Sequence, residues 1–205
     1  MKKKLILFTR YPEAGRVKTR LIPALGPKGA AALQARMTED TLRTAEAAAA
    51  ENDLDLEIRH SGSDTGQMAT WLGPHHSYRG QGSGDLGDKM ARAFAGAFQD
   101  HYHQVMIIGA DCPALTARTL ADGFAGLRGH ELVLGPAADG GYYLIGLSRH
   151  CPELFAGQPW GSNTLLSATI AVARKLDLTF HLLEELADVD RPEDLEAFGN
   201  HSDPE

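Results

Sequence analysis

Short runs of apolar residues recur along the chain at intervals that match a sheet of buried strands. Residues 5–8 (Leu-Ile-Leu-Phe) and 105–108 (Val-Met-Ile-Ile) are uninterrupted, which is typical of strands covered on both faces in a parallel sheet. In residues 54–59, Leu and Ile alternate with Asp, Glu and Arg and predict another strand. Further strands are expected at 131–135, 141–147 and 178–183.

The segments between these runs carry helical spacing. Residues 27–50 are rich in Ala, Leu, Met and Glu and start at Pro27, a residue favoured in the first turn of a helix. Residues 85–100 place apolar side chains on one stripe, and Asp85 is suited to cap the start of that helix. Helices are also expected at 117–127 and 162–175, with a short one from Arg191.

This alternation of strands and helices predicts an α/β fold with three layers, α/β/α, around a mostly parallel, Rossmann-like sheet. The 205 residues suffice for one core, so we expect a single domain over 1–199 and a polar tail at 200–205. Ligands of such sheets bind beyond the carboxyl ends of the strands. The loops after Phe8, Ile108, Leu134 and Leu183 should therefore line one crevice.

Charge is distributed unevenly. The chain has 20 Lys and Arg against 27 Asp and Glu, a net charge of −7, which argues against a general binder of nucleic acids or membranes. Seven of the basic residues nevertheless lie in the first twenty positions, where Glu13 is the sole acidic residue: Lys2, Lys3, Lys4, Arg10, Arg16, Lys18 and Arg20. A local basic site in an acidic protein favours a small phosphorylated ligand.

The loop after the first strand carries most of this positive charge. Gly15 allows close approach of the backbone, and Arg10, Arg16, Lys18 and Arg20 offer donors suited to phosphate oxygens. The spacing is neither that of a P-loop nor Gly-x-Gly-x-x-Gly. A solvated basic turn is the alternative, but the position directly after a buried strand favours anion binding.

Acidic residues follow two other predicted strands. Asp111 comes after the strand at 105–108 and is well placed to bind Mg²⁺ or Mn²⁺ that bridges phosphate oxygens. Cys112 is a less favoured alternative as a nucleophile. Asp188 and Asp190 follow the last strand, where they either cap the next helix or complete the metal site. The sequence leaves open both this choice and which of the two would be the metal ligand.

Three further segments combine glycines or hydrogen-bonding side chains with predicted loops. They are 81–90 (QGSGDLGDKM), 135–147 (GPAADGGYYLIGL) and 159–166 (PWGSNTLL). Glycine in tight turns is the alternative interpretation of the first two. The chain has only two cysteines, and the apolar run after MKKK is too short for a signal peptide or a membrane span, so we expect a cytoplasmic protein.

Taken together, these motifs resemble those of the bacterial family called transferase 1, rSAM/selenodomain-associated, in the GT-A-type nucleotide-diphospho-sugar transferase superfamily. The blocks that carry the resemblance are FTRYPEAGRVKTRL, QGSGDLGDKM, IGADCP, GPAADGGYYLIGL and PWGS, and they span nearly the whole chain. That family is in turn similar to 2-phospholactate guanylyltransferase and, more distantly, to the molybdenum-cofactor nucleotidyltransferases. The resemblance implies a GT-A fold, a bound nucleotide and a divalent metal, Mg²⁺ or Mn²⁺.

The resemblance also implies roles for individual residues. Asp111 and Asp190 would hold the metal, and Lys18, Asp111 and Asp139 would serve catalysis. The residues expected at the nucleotide are Phe8, Thr9, Arg10, Gly15, Lys18, Arg20, Gln81, Gly84 and Asp85. Those expected at the acceptor are Gly140, Gly141, Tyr142, Trp160, Asn163 and Thr164.

Three functional hypotheses follow. The first is transfer of a nucleoside monophosphate from an NTP to a small, phosphorylated or hydroxylated acceptor, with release of pyrophosphate. The second is glycosyl transfer from a nucleotide sugar, with Asp139 as a base on the acceptor hydroxyl. The third is nucleotide binding without chemistry, against which the intact acidic pair and basic loop both argue. All three expect a nucleotide and no nucleic acid or membrane as partner.

Overall fold

A computed structural model describes residues 1–195, so the predicted tail at 200–205 lies outside the described residues. The strands are β1 (Lys3–Arg10), β2 (Asp55–Ser61), β3 (Ser77–Gly80), β4 (Gln104–Ile108), β5 (Leu132–Pro136), β6 (Tyr142–Leu147) and β7 (Phe180–Leu182). The helices are α1 (Ile22–Asn52), α2 (Thr65–Leu72), α3 (Leu86–Gln99), α4 (Ala117–Gly126) and α5 (Leu165–Lys175). Single turns of 3₁₀-helix occur at Thr19–Leu21, Pro152–Phe155 and Pro192–Asp194.

The seven strands form one sheet in the order β3-β2-β1-β4-β6-β5-β7. All neighbouring strands are parallel except β6, which is antiparallel to both β4 and β5. The connection from β5 to β6 explains the exception. It spans only residues 137–141, and a loop this short returns the chain antiparallel because a parallel crossover needs a dozen residues or more. The predicted α/β fold with a mostly parallel sheet is confirmed.

The helix predicted from Pro27 is also confirmed, with a qualification at its start. The helical segment α1 runs from Ile22, but Gly26 interrupts it with φ 69°. Regular helix therefore begins at Pro27, because proline has its φ fixed near the helical value and needs no hydrogen bond to its nitrogen in the first turn. The helix ends at Asn52, followed by Asp53 in the left-handed region.

Two elements were missed by the sequence pattern. Helix α2 has only eight residues, and β3 is a four-residue edge strand with no fully buried side chain. The start of α2 carries a local signal, because Asp64 and Gln67 form a reciprocal capping box. The short helix expected from Arg191 is a single 3₁₀ turn, Pro192–Asp194.

The central strand β1 is buried on both faces, as its apolar run predicts. Leu5 and Leu7 pack on the side of α1, α2 and α4, whereas Ile6 and Phe8 pack on the side of α3 and α5. The core therefore lies in two layers, one on each side of the sheet. None of the helices within residues 1–195 is both long and apolar enough to cross a membrane.

Candidate functional site

Three adjoining clefts open at the carboxyl ends of the parallel strands. Cleft A, about 330 Å³, lies over β1, β4 and β6; its lining includes Phe8, Thr9, Gln81, Leu86, Met90 and Tyr142. Cleft B, about 460 Å³, is lined by Arg10, Arg16, Val17, Lys18, Thr19, Arg20, Gln34, Asp111 and Asp190. Cleft C, about 420 Å³, includes Ala138, Asp139, Asn163, Asp188, Asp190 and Arg191 in its lining.

The clefts are continuous because they share walls. Arg10, Gln34 and Asp111 line both A and B, and Arg20 and Asp190 line both B and C. The loops predicted to meet at one crevice, those after β1, β4, β5 and β7, do meet there. Because the clefts adjoin, a ligand that is apolar at one end and anionic in its middle could extend from A through B to C.

The end of β1 and the loop after it bring four basic side chains, those of Arg10, Arg16, Lys18 and Arg20, to cleft B. Gly15 has φ +82°, and no atom lies within 4 Å of where a Cβ would stand. The backbone conformation, and not a lack of space, therefore favours glycine at this position. Glu13 makes an exposed ion pair with Arg16 at 3.3 Å. The charges converge as the sequence predicts, whereas their role in binding phosphate stays a prediction.

Lys18 is the most deeply placed of the four. Its side chain is only 6% exposed, and Nζ donates a 2.6 Å hydrogen bond to the carbonyl oxygen of Val189. The same Nζ lies 3.7 Å from Asp111 Oδ2 and 3.9 Å from Asp190 Oδ1. Arg20 forms an ion pair with Asp190 from the solvent side. The two aspartates predicted to hold a metal therefore face a common cation in this structure.

Local backbone contacts bring Asp111 to this position. At Gly109 a Cβ would stand 2.8 Å from Asp111 Oδ1, so glycine is needed for the carboxylate to fold back toward β4. The backbone N–H of Val189 donates to the carbonyl oxygen of Asp111 at 2.9 Å and ties the segment after β7 to the loop after β4. These contacts bring the segment that carries Asp190 next to Asp111.

Cys112 lies beside this site without the properties of a nucleophile. Its thiol is buried and donates to the carbonyl oxygen of Ala187 at 3.3 Å. Burial, followed by the charges of Asp111 and Asp188, raises the pKa of Cys112 to about 12. Since the thiolate is the reactive form, the thiol is inert at neutral pH.

Asp188 sits in cleft C among other carboxylates. Burial, followed by repulsion from Asp139 and then from Asp111 and Asp190, raises the pKa of Asp188 to about 6. Crowded carboxylates of this kind are stabilised by a cation, and a set of oxygen donors suits Mg²⁺ or Mn²⁺. The residues present therefore fit the divalent metal that the fold family implies, with Lys18 Nζ lying between Asp111 and Asp190.

The loop between β5 and β6 borders cleft C. Asp139 Oδ1 accepts a 2.7 Å hydrogen bond from the backbone N–H of Gly141. Gly140 has φ +87°, and a Cβ there would stand 2.1 Å from the carbonyl oxygen of Asn163. Leu166 N–H donates to the carbonyl oxygen of Gly140 at 3.0 Å. Four of the six residues predicted to bind the acceptor, Gly140, Gly141, Tyr142 and Asn163, thus lie in or next to the clefts.

The other two predicted acceptor residues, Trp160 and Thr164, flank Gly161 and Asn163 of cleft C but make contacts outside it. The Trp160 ring packs where a Cβ at Gly87 would stand, 2.7 Å from its Cζ2, so it fixes the start of α3. The hydroxyl of Thr164 hydrogen-bonds that of Ser162 at 2.7 Å, at the start of α5. Neither residue is among those that line the three clefts.

In the segment from Gln81 to Asp85, Gln81 is the residue that lines cleft A. Buried Gln81 donates both amide protons, to the carbonyl oxygens of Thr9 and Arg59, each at 3.1 Å. Asp85 and Asp88 form a reciprocal capping box at the start of α3, so the predicted cap is confirmed and the Asp85 carboxylate is already engaged. Gly84 has φ +97° and touches Asp88, which leaves no room for a side chain.

Sequence reasoning missed Gln34, which lines the clefts, and Arg92, which supports the segment beside cleft A. Gln34 on α1 is buried, lines clefts A and B, and donates to the Thr38 hydroxyl, which in turn hydrogen-bonds that of Thr9. Arg92 on α3 donates to the carbonyl oxygens of Gln81 at 2.6 Å and Ser83 at 2.9 Å. Both lie inside helices, and a single polar residue on an amphipathic helix carries no signal that separates it from a solvated one.

Comparisons with known proteins agree with this fold. The family model described as "Uncharacterized protein conserved in bacteria (DUF2064)" matches residues 42–162, more than half of the chain. A crystal structure from Desulfovibrio desulfuricans G20, whose provisional name is nucleotide-diphospho-sugar transferase, is 33% identical over 97% of this chain and 87% of that one, with a TM-score of 0.89. No curated protein matches the chain.

Two more distant structures share the fold. CMP:2-keto-3-deoxy-manno-octonic acid synthetase in complex with CTP is 11% identical, covering 97% of both chains, with a TM-score of 0.61. Glucosyl-3-phosphoglycerate synthase from Mycobacterium tuberculosis, in complex with Mn²⁺, UDP and glucosyl-3-phosphoglycerate, is 14% identical over 98% of this chain and 76% of that one, with a TM-score of 0.59. At these identities the likeness establishes the architecture alone. Structural neighbours of the chain thus include nucleotidyltransferases and glycosyltransferases.

Proposed function

The chain belongs to the bacterial family described as "Uncharacterized protein conserved in bacteria (DUF2064)", and from this premise we propose that it is a metal-dependent nucleotidyltransferase. It moves a nucleoside monophosphate from an NTP to a small, phosphorylated or hydroxylated acceptor and releases pyrophosphate. The single observation that carries the proposal is the composition of cleft B, where four basic side chains face two aspartates. The basic side chains suit the phosphates of a triphosphate, and the aspartates suit the divalent cation bound to it.

The donor nucleotide fits clefts A and B. Cleft A offers apolar contacts from Phe8, Leu86 and Met90, and Leu86 is unusually exposed for a large apolar side chain, as expected of a residue that covers a base. Arg10, Arg16, Lys18 and Arg20 then bind the phosphates, with the arginines as bidentate donors and Lys18 as a point charge.

The chemical step needs no protein nucleophile. An acceptor oxygen forms a bond to the α-phosphorus while the bond from that phosphorus to the oxygen bridging it to the β-phosphate breaks, and pyrophosphate leaves with the electron pair. A phosphorylated acceptor attacks as its anion, whereas the proton of a hydroxyl acceptor passes to Asp139, which borders cleft C. Basic side chains stabilise the charge that develops on the leaving group.

Asp111 and Asp190 would hold Mg²⁺ or Mn²⁺, with Asp188 as the alternative to Asp190. The bound ion would neutralise phosphate charge. Lys18 Nζ now compensates Asp111 and Asp190, so we expect it to turn toward the phosphates when ion and nucleotide bind together.

Glycosyl transfer is the second candidate, and one observation favours it. The Desulfovibrio desulfuricans G20 protein, at 33% identity, carries the name of a nucleotide-diphospho-sugar transferase. In that reaction the sugar occupies cleft C, and Asp139 takes the proton from the acceptor hydroxyl. The surplus of basic side chains in cleft B argues for the first candidate, because a diphosphate that already carries a metal ion needs fewer of them.

Product analysis separates the two candidates. The chain is incubated with the NTP that it binds, Mg²⁺ and a panel of phosphorylated and hydroxylated small molecules, and pyrophosphate is measured. Nucleotidyl transfer releases one pyrophosphate per adduct formed. Release of a nucleoside diphosphate from a nucleotide sugar, with no pyrophosphate from any NTP, would reverse the order of the candidates.

A further inference from the structure

A second group of potential metal ligands lies outside the clefts, at the β3 edge of the sheet. Glu46 on α1 and the adjacent residues His75 and His76, in the loop between α2 and β3, each offer one ligand atom, and these atoms lie within 4.8 Å of one another. Within residues 1–195 this is the one group of at least three His, Cys, Asp or Glu ligands that approach so closely. None of the three lines clefts A, B or C.

The buried member of the group has an unused nitrogen. The His76 side chain is only 8% exposed, and its Nε2 lies 3.2 Å from Glu46 Oε1 but makes no hydrogen bond. A buried polar atom without a partner costs free energy, which a bound metal ion would recover.

The loop holds the two rings together. Gly73 has φ +98°, and a Cβ there would stand 2.8 Å from Cε1 of His75, so only glycine lets this ring lie over the turn. The Tyr78 hydroxyl donates a 2.6 Å hydrogen bond to the carbonyl oxygen of Gly73 and fixes the other side of the loop. The ring centroids of His75 and His76 are then 4.1 Å apart, next to Glu46.

We propose that Glu46, His75 and His76 form a binding site for Zn²⁺ that links α1 to the loop between α2 and β3. Two imidazoles and a carboxylate are ligands typical of zinc, and they leave a fourth position open to water or to a further group. In a tetrahedral zinc site the ligand atoms stand about 3.3 Å apart. Closing the group to that spacing mainly requires a shift of His75, whose side chain is 70% exposed and whose Nε2 lies 3.9 Å from Glu46 Oε1.

This site differs in chemistry from the aspartates of clefts B and C. Oxygen ligands alone suit Mg²⁺ or Mn²⁺, whereas nitrogen ligands shift the preference to Zn²⁺. The two sites should therefore take different metals from a mixture. The proposal does not depend on the proposed nucleotidyl transfer, because its ligands and its test are separate from the clefts.

The test measures Zn²⁺ binding by the full chain. Zn²⁺ is titrated by competition with a chromophoric chelator in excess Mg²⁺, and Co²⁺ absorption reports the coordination geometry. We expect one Zn²⁺ equivalent per chain and a tetrahedral Co²⁺ spectrum with intensity typical of nitrogen and oxygen ligands. Failure of the wild-type chain to bind Zn²⁺ under these conditions would overturn the proposal.

Variants then locate the ion. Glu46→Gln keeps the size of its side chain and His75→Ala alters an exposed residue, so both should fold, which circular dichroism verifies. Each should weaken Zn²⁺ binding about 100-fold or more, since even the partners of metal ligands are worth 10–100-fold. His103→Ala, at another exposed histidine, should leave the affinity unchanged. Unaltered affinity in Glu46→Gln and His75→Ala, or an equal loss in His103→Ala, would place the ion elsewhere and overturn the proposal.

Discussion

Lys18 Nζ lies 3.7 Å from Asp111 Oδ2, and the two residues arrive from loops that follow neighbouring parallel strands. The backbone at Lys18 is in the left-handed region, with φ 44°, which directs the side chain inward from a basic loop. This ion pair joins the two halves of the proposed site, since Lys18 belongs to the phosphate-binding group and Asp111 to the metal-binding one.

We expect Lys18→Met to lower kcat/KM by about 100-fold, the effect of removing one charged donor from a transition state. The substitution keeps the length of the buried stem while it removes the charge from between two aspartates. Steady-state pyrophosphate release measures the effect. Lys28→Met, at an exposed lysine on α1, serves as control and should be indistinguishable from the wild type. A Lys18→Met enzyme with near-normal turnover would remove this residue from the mechanism.

Asp111→Asn should abolish most metal-dependent activity and leave the fold intact. The Asp111 side chain is 45% exposed. The main-chain carbonyl of Asp111 accepts a hydrogen bond from the N–H of Val189, and the substitution does not alter this bond. The variant should need more Mg²⁺ or Mn²⁺ for half-maximal rate and melt near the wild-type temperature. Asp122→Asn, at an exposed aspartate on α4 paired with Arg118, provides the matched control. An unchanged metal requirement in Asp111→Asn would contradict the assignment.

A comparison of two glycines tests the loop that borders cleft C. Gly157→Ala introduces a Cβ into open space at φ +66°, and we expect it to lower the free energy of unfolding by about 1 kcal/mol. Gly140→Ala combines φ +87° with a contact at 2.1 Å to the Asn163 carbonyl oxygen, so it should cost at least about 2 kcal/mol more. Urea unfolding of both variants measures the difference. An equal decrease in the free energy of unfolding of both variants would mean that the β5–β6 loop shifts to accommodate the methyl group.

A buried ion-pair network on the α3 side of the sheet makes the free energy of unfolding depend on pH. Glu57 accepts from Lys4 Nζ at 2.8 Å and from Arg59 Nε at 2.6 Å. Burial alone raises the pKa of Glu57, but the hydrogen bonds and charges of Lys4 and Arg59 together outweigh it and hold the pKa below 4.5. A carboxyl group with a lowered pKa in the folded state stabilises the protein above its unfolded pKa, and this contribution is lost as the pH falls through the folded pKa.

We therefore expect Glu57→Gln to destabilise the protein by about 3 kcal/mol at pH 7, because it leaves two buried cations without their partner. The difference from the wild type should shrink as the pH falls below 4.5. Urea midpoints measured from pH 7 to pH 3 provide the test, with Glu51→Gln at an exposed position of α1 as control. A difference that stays constant over this range would show that the charge of Glu57 does not stabilise the fold.

The sequence predicts the central part of the fold well because burial on both faces leaves a clear pattern. The strands over 5–8 and 105–108 are unbroken apolar runs, and both are observed within β1 and β4. Strand β3 was missed because an edge strand with exposed side chains has no apolar periodicity. The antiparallel direction of β6 follows from the short loop between β5 and β6, and the residues of β6 itself do not encode it.

The candidate site is predictable where charged residues lie at or after the end of a strand. Arg10 ends β1, Lys18 lies in the loop after it and Asp111 in the loop after β4, and the parallel sheet brings them together. The choice between Asp188 and Asp190 was left open by the sequence. The structure places Asp190 against Lys18 and Arg20 in cleft B, and Asp188 in cleft C. Such differences depend on the path of an irregular segment, which no periodicity encodes.

The central claim is that cleft B receives a nucleoside triphosphate together with a divalent metal. The most direct measurement is the melting temperature of the full chain with each of the four NTPs and with several nucleotide sugars, each with and without Mg²⁺ or Mn²⁺, for the wild type and for Asp111→Asn. We expect one NTP to raise the melting temperature of the wild type only when metal is present, with a smaller rise in Asp111→Asn. A rise confined to a nucleotide sugar, or no rise with any NTP, would contradict the claim.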